Sequence, residues 1–130
     1  MSTEKQLRLL VCDPDPGARE MIREFLHGSP IKVQFTSAAE PLERTLAKNS
    51  PFNAVVMDLS SPSKRACDTL VSAVKRVAPG AEVIFLSRFA DEMLWSQVLN
   101  LGAYDLLPNP PERGEFLRTV FGAVQNRQAA

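Results

Sequence analysis

Five short apolar runs alternate with five stretches of helical periodicity along this chain, and few folds accept that rhythm. The runs Leu9-Leu10-Val11-Cys12, residues 31–35, Ala54-Val55-Val56-Met57, Val83-Ile84-Phe85-Leu86 and residues 104–107 have strand length. Repeated βα units of this kind bury their strands in a parallel sheet with helices on both faces, so the fold class is α/β. The third and fourth runs are continuously apolar, as doubly covered strands must be, whereas the second alternates and reads as an edge. At 130 residues, one domain is expected over 1–130, burying roughly two thirds of its unfolded surface.

Local signals place the helices. Asp15 as cap and Pro16 at the first helical position open the first, with Met21, Ile22, Phe25 and Leu26 on one face. His27 and Gly28 close it, where an imidazolium suits the helix dipole and glycine permits a left-handed exit, so His27 reads as structural. The second helix is expected over about 38–48 with Leu42 and Leu46 inward. The third carries Leu70, Val74 and Val77 on one stripe and ends at Pro79-Gly80. Asp91 caps the fourth, which Gly102 stops. A rigid turn, Asn109-Pro110-Pro111, precedes a last helix over about 112–125 with Phe116, Val120 and Val124 inward, followed by a frayed tail.

Composition removes several function classes. Fifteen basic and fifteen acidic residues cancel, and no Lys/Arg block is present to track nucleic acid or an anionic membrane. The start is polar, and no apolar run approaches the roughly 20 residues needed to span a bilayer, so a cytoplasmic location is expected. Cys12 and Cys67 lack any Cys-x-x-Cys or His spacing and read as buried structural residues.

The chemistry is expected at the strand ends. Asp58 closes the run Asn53-Ala54-Val55-Val56-Met57, Asp13 closes the first strand and Ser87 the fourth. In an open parallel sheet the strand ends form the ligand crevice, so ionised groups there stay near water while their strands are buried. Two carboxylates on one edge suit a divalent cation, and a carboxylate beside one is a candidate phosphate acceptor, because the cation neutralises the incoming oxygens. The plain alternative is that each acid only ends its strand or caps a helix.

Taken together, Leu9-Leu10-Val11-Cys12-Asp13, Val55-Val56-Met57-Asp58 with Pro62 four residues on, Ile84-Phe85-Leu86-Ser87 and Gly102-Ala103-Tyr104-Asp105-Leu106-Leu107-Pro108-Asn109-Pro110 resemble the receiver domains of bacterial two-component response regulators. The resemblance covers nearly the whole chain. It implies a flavodoxin-like, doubly wound five-stranded sheet of order 2-1-3-4-5 with five helices, and a signal receiver rather than an enzyme. It implies Asp58 as the phosphoacceptor for a histidine kinase or phosphotransfer protein, Mg2+ held by Asp13 and Asp58, and Ser87 as the phosphoryl-sensing hydroxyl. The partner surface would be the face of the fourth helix, fifth strand and fifth helix, here including Trp95, Leu99 and Tyr104, with an output domain or a second copy as partner.

Three departures stand against this pattern. Pro14 occupies the place of a second acidic residue, leaving Asp15 as a further candidate ligand. Asn109 replaces the family lysine, which is often joined to its proline by a cis bond, and Leu106 stands where members carry Tyr or Phe. Two readings remain open, a phosphoacceptor switch with altered coupling and a phosphorylation-independent pseudo-receiver that acts as a docking module. A flavin protein of the same strand order is disfavoured, since Asp13-Pro14-Asp15-Pro16 presents negative charge and lacks two amide donors where a flavin phosphate needs them. Phe89 is expected to shield the phosphoryl site from water, or else to pack on the fourth helix.

Overall fold

The computed structural model describes residues 6–37, 41–49, 51–59 and 63–126. Strands β1 (Leu7–Cys12), β2 (Ile31–Thr36), β3 (Ala54–Asp58), β4 (Glu82–Ser87) and β5 (Asp105–Pro108) form one parallel sheet of order β2-β1-β3-β4-β5. The expected order and the edge position of the alternating second strand are both found. Helices α1 (Pro16–Phe25), α2 (Leu42–Asn49), α3 (Lys64–Val77), α4 (Glu92–Asn100) and α5 (Arg113–Asn126) fill the crossovers.

Side-chain alternation along the strands divides the interior into two layers. Leu10, Val55, Met57, Val83, Phe85 and Leu106 meet α2, α3 and α4. Leu9, Val11, Val56, Ile84, Leu86 and Leu107 point the opposite way, onto α1 and α5. Each buried aliphatic or aromatic side chain contributes roughly 1.5–3 kcal/mol, and both layers must close together because the central strands have no polar face. Cys12 and Cys67 lie in this packing as expected; burial, with the charge of Asp13 second, pushes the Cys12 thiol up to about 12.

The start signals work as sequence chemistry predicts. The carboxylates of Asp15 and Asp91 accept from the amides of Gly17 and Leu94 at 3.1 and 2.8 Å. Ser63 accepts from Ala66 to cap α3, and both Glu112 oxygens accept amides at the start of α5. Gly28 and Gly102 close α1 and α4 with φ of 83° and 106°, and His27 is exposed beside Gly28. Two expectations shift. The second helix begins at Leu42, not near Ala38, which lies outside the described residues; Pro41 has no amide to donate, and its carbonyl accepts the Thr45 amide at 3.1 Å. The buried stripe of α3 centres on Cys67, Val71 and Val74, with Leu70 and Val77 at its margin. Pro62 and the expected frayed tail also lie outside the described residues.

β1 and β3 are neighbours whose following crossovers run in opposite directions along the sheet, which opens a crevice at their carboxyl ends. Asp13 follows one strand and Asp58 ends the other.

Candidate functional site

Asp13, Asp15, Asp58, Arg88 and Asn109 line a cavity of about 560 Å³ at that crevice, with Met21 on its α1 side. A more open groove of about 680 Å³, lined from α4 and Lys64, carries a single carboxylate and no convergent acid pair. The chemistry belongs to the first.

Asp13 is 2% exposed. Its amide continues the ladder to the Thr36 carbonyl at 3.2 Å, and its own carbonyl accepts from Arg19 Nη1 at 2.6 Å. Oδ1 accepts the Asp15 amide at 2.9 Å, while Oδ2 is buried with no hydrogen-bond partner. Burial therefore raises the carboxyl above its ordinary range, and the charges of Asp58 and Asp15 add to this against the pull of the Asp15 amide and the Asn109 side chain. Such a group is electrostatically incomplete, and a cation would complete it.

Asp58 is half-buried, and its Oδ1 accepts from Asn109 Nδ2 at 2.7 Å. Asn109 is held by its own amide, which donates to the Ser87 carbonyl at 3.0 Å, and it precedes Pro110 through a cis bond. Asp15 is exposed and already caps α1. Among the described residues no three acidic, His or Cys side chains converge to hold a metal. An orphaned buried oxygen on one of two carboxylates is a donor set that fits Mg2+, which keeps several waters and takes one or two carboxylates from the protein.

Two side chains expected at the site turn elsewhere. Ser87 is fully buried outside the cavity lining, and its Oγ accepts the Phe89 amide at 3.0 Å. That turn sends the Phe89 ring away from the acids, 54% exposed, into a crevice with Asp91, Met93, Leu94 and Gln97. Phe89 thus lines a surface crevice at the start of α4 and not the acid cavity. Arg88 lines the cavity instead, a residue the sequence reading passed over although it directly follows Ser87 at a strand end. Arg19 was likewise missed, one helical turn beyond the Asp15 cap.

On the α4 side, Trp95 is 46% exposed and its Nε1 donates to Asp105 Oδ1 at 3.0 Å. Leu99 is half-buried. Tyr104 belongs to the layer under α5, so the expected apolar face of Trp95, Leu99 and Tyr104 reduces to Trp95 with the margin of Leu99. Leu106 is buried in the core.

The profile of the response regulator receiver domain matches residues 9–121. The DNA-binding transcriptional regulator NtrC of Rhizobium meliloti is 30% identical over 116 residues, which cover 89% of this chain and 24% of that protein. The C4-dicarboxylate transport transcriptional regulatory protein DctD of Pseudomonas aeruginosa is 28% identical, over 96% of this chain and 27% of its own length. The chain spans about a quarter of the length of these curated relatives. Among solved structures, the signal receiver domain of an HD domain-containing protein from Pseudomonas fluorescens superposes with a TM-score of 0.77 at 16% identity, covering 97% of this chain and all of that one. A receiver domain protein from Clostridium thermocellum gives 0.77 at 18% identity, over 95% of this chain and 98% of that one. Sequence profile, strand order and the acids at the ends of β1 and β3 agree: the chain belongs to the receiver domains of two-component response regulators.

Proposed function

We propose that this receiver domain, acting as one module over 1–130, takes a phosphoryl group on Asp58 and uses it to shift a protein-interaction surface. The observation that carries the reading is the unpartnered Asp13 Oδ2 in a buried carboxylate that shares a water-accessible cavity with Asp58. A carboxylate left in that state destabilises the fold, and it is explained if the site is completed by a cation and a phosphoryl group. Asp13 and Asp58 would hold Mg2+. Bound there, the ion supplies the positive charge that lets a carboxylate approach an anionic phosphorus.

Asp58 attacks with one carboxylate oxygen; the P–N bond of a phosphohistidine, or the P–O bond of a small acyl phosphate, breaks, and the leaving group departs with its electron pair. Asn109 orients Asp58 by holding Oδ1, leaving Oδ2 as the attacking oxygen. Ser87 answers by donating a hydrogen bond from its hydroxyl to a phosphoryl oxygen while Oγ still accepts the Phe89 amide, so the movement of Ser87 carries the Ser87–Phe89 turn with it and passes to the start of α4. The donor is a histidine kinase or phosphotransfer protein, and the responding surface lies around Trp95. The named relatives, transcriptional regulators, support an output domain as the target.

One observation favours the second reading, a docking module independent of phosphate: Asn109 brings no charge and already occupies an Asp58 oxygen. Intact mass after incubation with Mg2+ and acetyl phosphate decides between them. A single phosphoryl adduct, absent from Asp58→Asn, is expected; no adduct at any Mg2+ concentration would establish the pseudo-receiver.

A further inference from the structure

We propose that Arg88 is the cationic phosphoryl-binding residue of this site, supplying from the β4 end the positive charge that Asn109 does not bring; the proposal rests on Asp58 being the acceptor. Among the described residues Arg88 is the single basic residue lining the cavity, together with Asp13, Asp15, Asp58 and Asn109. Its side chain is exposed and, among the described residues, makes no ion pair or hydrogen bond. A guanidinium on the lining of a cavity with three carboxylates, paired with none of them, keeps its fork of donors free, and that fork matches the oxygens of a phosphoryl group.

The backbone under it is fixed. The Ser87 carbonyl accepts the amides of Asn109 and Ala90 at 3.0 and 3.4 Å, and the Ser87 hydroxyl accepts that of Phe89 at 3.0 Å. Arg88 therefore projects from a pinned turn, so ordering a single side chain suffices to bring charge to the phosphorus. The same turn joins β4 to α4, so a guanidinium drawn onto the phosphoryl group pulls on the segment that carries Phe89 and the Asp91 cap.

In the reaction with acetyl phosphate, an Asp58 oxygen forms the new P–O bond, the bond from phosphorus to the acetyl oxygen breaks, and acetate leaves with the electron pair. The guanidinium stays protonated throughout and contacts the equatorial phosphoryl oxygens, which carry the charge during transfer.

Time courses of adduct formation by intact mass, with Mg2+ and acetyl phosphate, test this on the wild type, Arg88→Gln, Arg88→Lys, Asn109→Lys and the double variant Arg88→Gln/Asn109→Lys. Arg88→Gln should label about tenfold more slowly, as expected for loss of one charge-assisted contact. Arg88→Lys should retain part of the rate, because it keeps the charge but not the fork. Added salt should slow the wild type more than Arg88→Gln, since an exposed cation is screened. With Asn109→Lys in place, removing Arg88 should cost less than about threefold, because two residues sharing one role do not add. A wild-type rate in Arg88→Gln, or full additivity with Asn109→Lys, overturns the role of Arg88 and leaves Asp58 as acceptor. Absence of labelling in the wild type overturns both.

Discussion

The side-chain amide of Asn109 donates to the carboxylate of Asp58 at 2.7 Å, spanning from the end of β5 across β4 to the end of β3. This contact holds one Asp58 oxygen without bringing the positive charge of the lysine that the resemblance implies at this position.

Asn109→Lys should therefore accelerate labelling of Asp58 by acetyl phosphate roughly 100-fold, at the low end of the range observed for single preorganised electrostatic contacts. Initial rates by intact mass check this. An unchanged rate would mean that charge at this position does not limit the transfer.

Asp13 should be a liability to stability and a requirement for metal. Asp13→Asn removes a buried charge with an unpartnered oxygen, so without Mg2+ the variant should be more stable by roughly 1 kcal/mol or more in thermal or denaturant unfolding. Mg2+ should raise the Tm of the wild type and not that of the variant. A less stable variant would show that the carboxylate is satisfied by a partner in solution.

The raised Asp13 carboxyl fixes the sign of the pH response. The native state binds this proton more tightly than the unfolded chain does, so between the ordinary carboxylate range and the raised native value metal-free stability falls as pH rises. Mg2+ competes with the same proton, so its affinity should weaken as pH falls through that window. Calorimetric titration over a pH series from about 7 down through the carboxylate range should show binding weakening and proton release growing as pH falls. An affinity that does not change anywhere along the series would remove Asp13 from the metal site.

Gly122 and Tyr104 make a steric pair. A Cβ at Gly122 would lie 2.6 Å from Tyr104 Oη, whereas the next ring atom is at 3.6 Å. Glycine to alanine inside a helix ordinarily gains about 0.5–1 kcal/mol. Gly122→Ala should instead destabilise the wild type, by roughly 1–3 kcal/mol. In a Tyr104→Phe background the same change should become stabilising. Denaturant midpoints of the four proteins give the cycle, and the same sign in both backgrounds would refute the clash.

Trp95 stands 46% exposed and tied to Asp105, away from the acid cavity. Trp95→Lys should change stability by no more than about 1 kcal/mol and leave small-donor labelling unchanged, because surface substitutions of this kind cost little. Cooperative unfolding followed by circular dichroism checks the first part. Loss of the folded state would place the indole in the core.

The sequence by itself determined the sheet, its two covered faces and the starts of the first and fourth helices. Runs such as Val55-Val56-Met57 and Ile84-Phe85-Leu86 can be satisfied only between two helical layers, and Asp15-Pro16 and Asp91 sit where capping chemistry needs them. These are properties of hydrogen-bond period and side-chain burial, which neighbouring residues impose on one another. Asp13 and Asp58 were legible for the same reason, since each ends an apolar run. Only the tertiary structure decided which atoms meet. Whether Phe89 or Arg88 lines the acid cavity depends on the dihedrals of one turn, set where Ser87 Oγ takes the Phe89 amide. The Asn109–Asp58 contact joins groups 51 residues apart, and the missing partner of Asp13 Oδ2 is defined by everything that packs around it. Distances and unpaired acceptors of that kind belong to loops brought together by the sheet, and no local periodicity encodes them.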